Sequence, residues 1–353
     1  MDPVTHMLTG ACLSRAGLNR KTALATLTLV LATEAPDIDS ITYFAGPVAG
    51  LEHHRGITHS FLGAPFVAGL VVAGVYGIWR LMEARRKDSP DAQPNLPPNW
   101  KLLYAYALLG TMVHLFQDFT NNYGVRPFAP FNPKWYSWDI VFIIDPIMLL
   151  ALFLALVLPS LMALVSDEIG SRKPRFRGRG AAICALLCVA AVIFVRDFEH
   201  RRAVNALNSR TYRDEAPLRA SAFPELVNPF AWNGVVETKS FFHMFPVDSG
   251  SGEIDPLNQG VVRFKPEETP VTLAAKKSRL GRVYLSWAAY PFVTVEDLEG
   301  GRHQVQFEDM RFETAAGVTE HRRPALTGTV VLDPQLRVEQ MFTGRLPRNA
   351  PNQ

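Results

Sequence analysis

Cysteine is scarce in this chain. There are three in 353 residues, Cys12, Cys184 and Cys188, all in apolar stretches. An odd number in such places argues against a disulfide framework, and no cysteine metal motif is present. Strong net charge is also missing. The formal balance is +3, too small for the basic footprint that nucleic acid requires, so no nucleic-acid partner is expected. The first residues, MDPVTHMLTG, lack the positive charge that opens a secretory signal, so no cleaved signal is expected. No internal repeat is visible. Long uncharged runs are absent after about residue 196, where charge is dispersed and Pro and Gly are frequent.

The long apolar runs all lie before that point. Phe61–Met82 is long enough to span a bilayer, which takes about 20 apolar residues. Leu102–Asp118 and Gly180–Val195 are shorter candidates, and Ile140–Ser166 is a long one. Ahead of them, Val4–Ala16 and Thr22–Glu34 read as helices too short for a normal span, which suits a re-entrant or interfacial hairpin. Basic residues cluster at Arg15, Arg20 and Lys21, at Arg80, Arg85, Arg86 and Lys87, and at Arg172, Lys173, Arg175, Arg177 and Arg179. With these clusters in the cytoplasm, the spans alternate without contradiction. His6, Pro36–Asp39, His53–Ser60, the Asp118 end of Leu102–Asp118 and Asp139–Asp145 then share the outer side. Arg196, Arg201 and Arg202 run against the scheme, although long translocated domains obey the charge rule weakly.

From about Phe223 the pattern becomes short strands. Gly234–Phe242, Val261–Phe264, Arg282–Trp287, Val293–Leu298, His303–Phe307, Thr327–Asp333 and Arg337–Phe342 carry it, with turns such as EGG and DPQ between them. The expected fold is an α-helical integral membrane domain over 1–200, with about four spans and an N-terminal hairpin. A linker over 201–225 and a small antiparallel β domain over 226–353, on the outer face, complete it.

Three polar clusters sit at the edges of the apolar segments: PDID at Pro36–Asp39, HHRGITHS at His53–Ser60 and HLFQD at His114–Asp118. Ionisable groups at such edges are costly unless they pair or bind an ion, so they are functional candidates. His114 and Asp118 are i and i+4 on one helix and can grip one ion. Pro36 ends the preceding helix and leaves Asp37 and Asp39 in a turn, where they can ligate one metal or bridge two. His54 and His59 need a loop to meet, and Arg55 suits an anionic group. His6 stands at the outer end of the first helix. Imidazole with carboxylate suits zinc, with manganese or iron as alternatives. Taken singly, each cluster also has a plain reading: a solvated headgroup His at His6, a local interfacial pair at His114 and Asp118, a basic anchor at His53–Ser60. Asp139 reads as part of an aromatic belt, Asp145 as paired or an outer-shell partner, and His53 as an exposed neighbour. His200, His243, His303 and His321 carry no assigned role.

An early His, then PDID, then His54-Arg55-Gly56 with Thr58-His59-Ser60 opening an apolar helix, then His114, Asp118 and Thr120 resembles a known family. These are the membrane-bound predicted metal-dependent hydrolases, which include a bacterial inner-membrane protein described as LexA-associated. The likeness covers roughly the first 130 residues. The family is distantly similar to zinc-dependent phospholipase C and the single-strand-specific zinc nucleases. The chain departs from the usual Thr-Pro-x-Gly after the HxxxD pair, with TNNYGVRPFAPF in its place. The expected metal ligands are His6, Asp37, Asp39, His54, His59, His114 and Asp118; the resemblance implies His114 and Asp118, and with them Asp37 or Asp39, His6 and His59. Arg55 and Asp39 are expected to carry chemistry. The expected activity is metal-assisted hydrolysis of a phosphoester or lipid-linked substrate at the outer face of an inner membrane, with membrane lipid as neighbour. The alternative is a non-catalytic membrane protein with a structural metal and a β domain that binds a partner. A transporter has too few full spans and no inverted repeat.

Overall fold

A computed structural model of the chain describes residues 1–86, 96–168, 178–256, 258–313 and 326–343. It divides into two compact units, Met1–Asp39 with Arg55–Val195, and Ser40–His54 with Arg196–Gln353. Lys87, Arg172, Lys173, Arg175, Arg177 and His321 of the sequence argument lie outside the described residues.

The first unit is helical. Helix α1 (Pro3–Arg15) starts where Asp2 accepts from the Thr5 amide at 3.0 Å and Pro3 supplies a preset φ. Helix α2 (Ala25–Ala32) ends just before Pro36, and the chain then runs as 3-10 turns over Ala35–Ala45. Helix α3 (Pro47–His53) belongs to the second unit. Helices α4 (Ala64–Arg86), α5 (Trp100–Thr120), α6 (Pro146–Glu168) and α7 (Arg179–Asn208) follow. Helix α2 is gripped from both sides at glycines. A Cβ on Gly10 of α1 would lie 2.7 Å from the Leu29 carbonyl oxygen, and one on Gly110 of α5 would lie 2.8 Å from Ala32 Cβ. His6 is one turn before Gly10 and His114 one turn after Gly110, so the two close approaches bring these imidazoles together.

Two apolar clusters hold the bundle. Ala32, Ala68, Val71, Val75 and Ala107 join α2, α4 and α5, while Cys12, Met148, Leu152, Ala155, Ala182 and Ala185 join α1, α6 and α7. Among the described helices, two are long and apolar enough to cross a membrane: α4 over Ala64–Ala84, and α7. The other two of the four expected spans fall short of that length and apolarity for visible reasons. Helix α5 spends its last turns on His114, Gln117 and Asp118, and the apolar part of α6 is the shorter Pro146–Met162. The outer faces of α4 and α6 still expose Phe66, Leu70, Leu150 and Phe153.

The second unit carries two antiparallel sheets. One runs β1 (Arg219–Pro224), β2 (Ala231–Glu237), β3 (Phe241–Asp248) and β4 (Glu253–Ile254), with β5 (Val261–Phe264) also on β3. The other runs β6 (Pro291–Leu298), β7 (Arg302–Asp309), β8 (Gly328–Leu332) and β9 (Val338–Thr343). Their cores are aromatic, with Trp232, Phe241 and Phe245 in one cluster and Phe223, Phe242 and Tyr290 in another. Helices α8 (Pro270–Lys277) and α9 (Arg279–Trp287) lie between the sheets in sequence, and α3 packs on α9 with Arg279 gripping Glu52 at 2.6 and 2.9 Å.

Three sequence boundaries shift. Arg282–Trp287, strand-like in its alternation, is the body of α9. Ser278 caps it at Gly281 N, and Leu280, Tyr284 and Trp287 are buried at helical spacing. Gly234–Phe242 is a hairpin rather than one strand, since Thr238 and Phe241 close a turn between β2 and β3. The stretch 201–225 is the end of α7, a turn and β1 rather than a linker.

Candidate metal centre

The site is built within the first unit. Asp37 comes from the turn after α2, His59 from the 3-10 turn Ile57–His59, and His114 and Asp118 from one face of α5. One ligand atom from each lies within 4.8 Å of all the others. His114 Nε2 is 3.0 Å from His59 Nε2 and 3.7 Å from Asp37 Oδ1. His59 Nε2 is 3.1 Å from Asp37 Oδ1. Asp118 Oδ2 is 3.4 Å from His59 Nε2 and 3.5 Å from His114 Nε2. A tetrahedral ion with bonds of about 2.0–2.2 Å sets its ligand atoms about 3.3–3.6 Å apart. The observed edges bracket that range.

The tautomers agree with this geometry. His114 Nδ1 donates to the Thr33 carbonyl at 2.8 Å, and a carbonyl can only accept. His59 Nδ1 faces Asp39 Oδ2 at 3.0 Å, again an acceptor. His114 therefore turns its Nε2 towards the cluster as an acceptor, and His59 presents its own Nε2 to the same point. Two imidazole nitrogens 3.0 Å apart share a proton or a metal ion between them. Asp118 is split in function. Its Oδ1 accepts from Arg55 Nη2 at 2.9 Å, from Asn121 Nδ2 at 3.4 Å and from the Met1 amine, whereas its buried Oδ2 has no hydrogen-bond partner. An unsatisfied buried carboxylate oxygen is costly, and a cation at the cluster would satisfy it. The donor set thus fits a divalent ion, and this Asp and His cluster could bind one.

The other sequence candidates stand around the four. Asp39 accepts from the Arg55 amide and the Thr58 hydroxyl, each at 2.8 Å, so it pins the turn that carries His59 and orients its ring. Arg55 has a left-handed φ of 52°, held by that contact. Its guanidinium is buried over the Tyr123 ring and donates to Gly124 O at 2.9 Å and Asn121 Oδ1 at 3.3 Å as well as to Asp118. His6 stacks on His114 with centroids 4.0 Å apart, and its Nε2 is 3.4 Å from Asp118 Oδ1. His54 belongs to the second unit, where its ring meets Tyr43 edge-on. Asp145 caps α6 through the amides of Ile147 and Met148.

Burial acts to raise the Asp37 carboxyl, but the contact with His59 and the neighbouring His114 and Arg55 outweigh it and hold it down at about 2. Glu34, three residues upstream, goes the other way. Burial, then the charge of Asp37, pushes it up to about 7. Glu34 went unmarked in the sequence, although an acid just before the PDID turn is a usable signal. Gln117, which accepts from His6 Nδ1 at 3.1 Å and donates to Thr9 Oγ1 at 3.0 Å, was legible inside HLFQD as the polar residue one turn from His114. The Thr33 carbonyl left no signal, because a main-chain acceptor is the same in every residue.

Known proteins bear on this geometry. Residues 1–202 match a family described as "YdjM inner membrane protein". The chain is also similar to the uncharacterized protein YfhP of Bacillus subtilis (strain 168), with 27% identity over 154 residues, 41% of this chain. That match covers 42% of the relative's length. No solved structure matches.

Proposed function

Because the chain belongs to the YdjM inner membrane protein family, we propose that the cluster is the metal centre of a membrane-bound hydrolase acting on a phosphoester or lipid-linked substrate. The observation that carries this reading is the convergence of two imidazole Nε2 atoms, 3.0 Å apart, on a buried carboxylate oxygen that has no hydrogen-bond partner. Zinc suits two nitrogens and two carboxylate oxygens best, with manganese or iron as alternatives. A divalent ion bound there would lower the pKa of a coordinated water and polarise a phosphoryl oxygen.

The protein's own groups do the positioning. His59, His114 and Asp118 are fully buried and each is fixed from behind, by Asp39, by Thr33 and by Arg55 respectively. Asp37 is the loosest member. Its side chain is 19% exposed and it makes the longest contact cited, 3.7 Å. Three firm ligands and one yielding position are the pattern of a catalytic site, whereas four closed ligands mark a structural one. Arg55 holds Asp118 rather than reaching for substrate, because its two terminal nitrogens are committed to Asp118, Asn121 and Gly124. In this reading α5 and α6 also cross the membrane beside α4 and α7, and the cluster and the β unit lie on the outer side, which the basic residues at Arg15–Lys21 and Arg80 support. A structural staple is the second reading, favoured by the four-ligand count.

The test is metal analysis of the purified protein, followed by a screen of phosphoesters with metal-stripped and reloaded samples. Turnover that disappears on stripping and returns on reloading is expected. Bound metal with no turnover on any phosphoester, and a fold that fails on stripping, would favour the staple.

A further inference from the structure

The loops that carry the ligands alternate inward polar residues with outward apolar ones. Ile38 sits between Asp37 and Asp39 and is 63% exposed. Ile57 and Phe61 flank His59 by two residues on either side, and both are exposed while His59 is fully buried. Phe61 also anchors a second loop. Its amide donates to the Pro127 carbonyl at 2.9 Å and its ring meets Phe128 edge-on at 5.6 Å. Three residues on, Phe131 is 86% exposed. With Leu62, these side chains form a rim of large apolar groups beside a buried polar centre. Water-facing surfaces rarely carry a patch of this kind without an occupant.

The occupant follows from continuity. The rim leads into α4 two residues after Leu62, and there Phe66 and Leu70 are exposed on a helix long and apolar enough to cross a membrane. Next to Phe131, exposed Lys134 and half-buried Trp135 and Tyr136 give the mixture of aromatic and snorkelling basic side chains found at headgroup level. We propose that this rim of Ile38, Ile57, Phe61, Leu62, Phe128 and Phe131 seats in the boundary between headgroups and acyl chains, so that the mouth of the centre at Asp37 opens sideways to lipid. Resting on the hydrolase reading, this makes the substrate a phosphoester delivered from within the bilayer rather than from bulk water.

The test replaces Ile38, Phe61 or Phe131 in turn by p-benzoylphenylalanine in the full chain, reconstituted in phosphatidylethanolamine and phosphatidylglycerol vesicles. Phe264, exposed on β5 of the second unit, serves as the control position. Irradiation and mass spectrometry should give lipid adducts at the three rim positions and none at Phe264. Cross-linked pairs of chains at Phe131 would assign the surface to a second copy and overturn the proposal. No adduct at the rim would assign it to water and overturn it equally. Lipid adducts in a protein with no phosphoester turnover would uphold the surface and sink the hydrolase reading alone.

Discussion

The two units invert each other. The helical unit buries His6, His59, His114, Arg55 and Asp118 and exposes Phe66, Leu70, Phe131 and Leu150. The β unit buries Trp232, Phe241, Phe245 and Tyr284, pairs its buried charges with one another, as Arg311 with Asp309, and sets pairs such as Arg219 with Glu237 towards solvent. The second arrangement is what water selects. The first makes sense only where the surroundings are apolar and the interior has a charge to serve. Substitutions in the helical unit should therefore register in metal content, and those in the β unit in stability.

The sharpest break is Asp118→Ala. It removes the ligand oxygen, and with it the acceptor of Arg55, leaving a buried guanidinium uncompensated. Metal content should fall to background by elemental analysis while the β unit keeps its near-ultraviolet signature. A full complement of metal would end the comparison. Phe245→Ala should do the reverse. It empties a core position stacked on Tyr212 and should cost about 3–5 kcal/mol in denaturant unfolding with metal content unchanged. Arg55→Lys is subtler. One ammonium cannot hold Asp118, Asn121 and Gly124 together, so metal affinity should weaken by about 10–100-fold in competition with a chelator, without loss of the fold. At the small end, Arg219→Ala removes a partly exposed pair with Glu237 and should change the unfolding midpoint by no more than about 1 kcal/mol in equivalent stability. An effect as large as that of Phe245→Ala would mean the β unit does not follow ordinary water-selected logic.

Much of the candidate cluster is legible in the sequence, for a physical reason. Metal-ligand side chains at the ends of apolar segments are too costly to be incidental, so PDID, HHRGITHS and HLFQD mark themselves. Their division of labour was not readable. Asp37 and Asp39 are equivalent in sequence, yet one faces His59 Nε2 and the other Nδ1. The choice depends on the handedness of a turn that residue types leave open. Arg55 reads as a free fork until the acceptors around it are known, and two of them, Asn121 and the Gly124 carbonyl, sit in the segment that departs from the family pattern. In the β unit the strands from Val261 onwards were legible by alternation, whereas α9 was not. Val283, Tyr284 and Trp287 favour strands by type and are overruled by the Ser278 cap and by burial at helical spacing.

The glycines on either side of α2 carry a further consequence. Gly10 and Gly110 leave no slack, since a single added carbon on Gly110 would collide with Ala32. The width of the centre is thus set by how far three helices slide past one another, and a metal bond tolerates an error of only about 0.2 Å. Bilayer thickness acts on that same sliding, because helices tilt to match the hydrocarbon around them. A sensitive readout follows: metal affinity measured in nanodiscs of short-chain and long-chain lipids is expected to differ, and Gly110→Ala to shift it in every lipid.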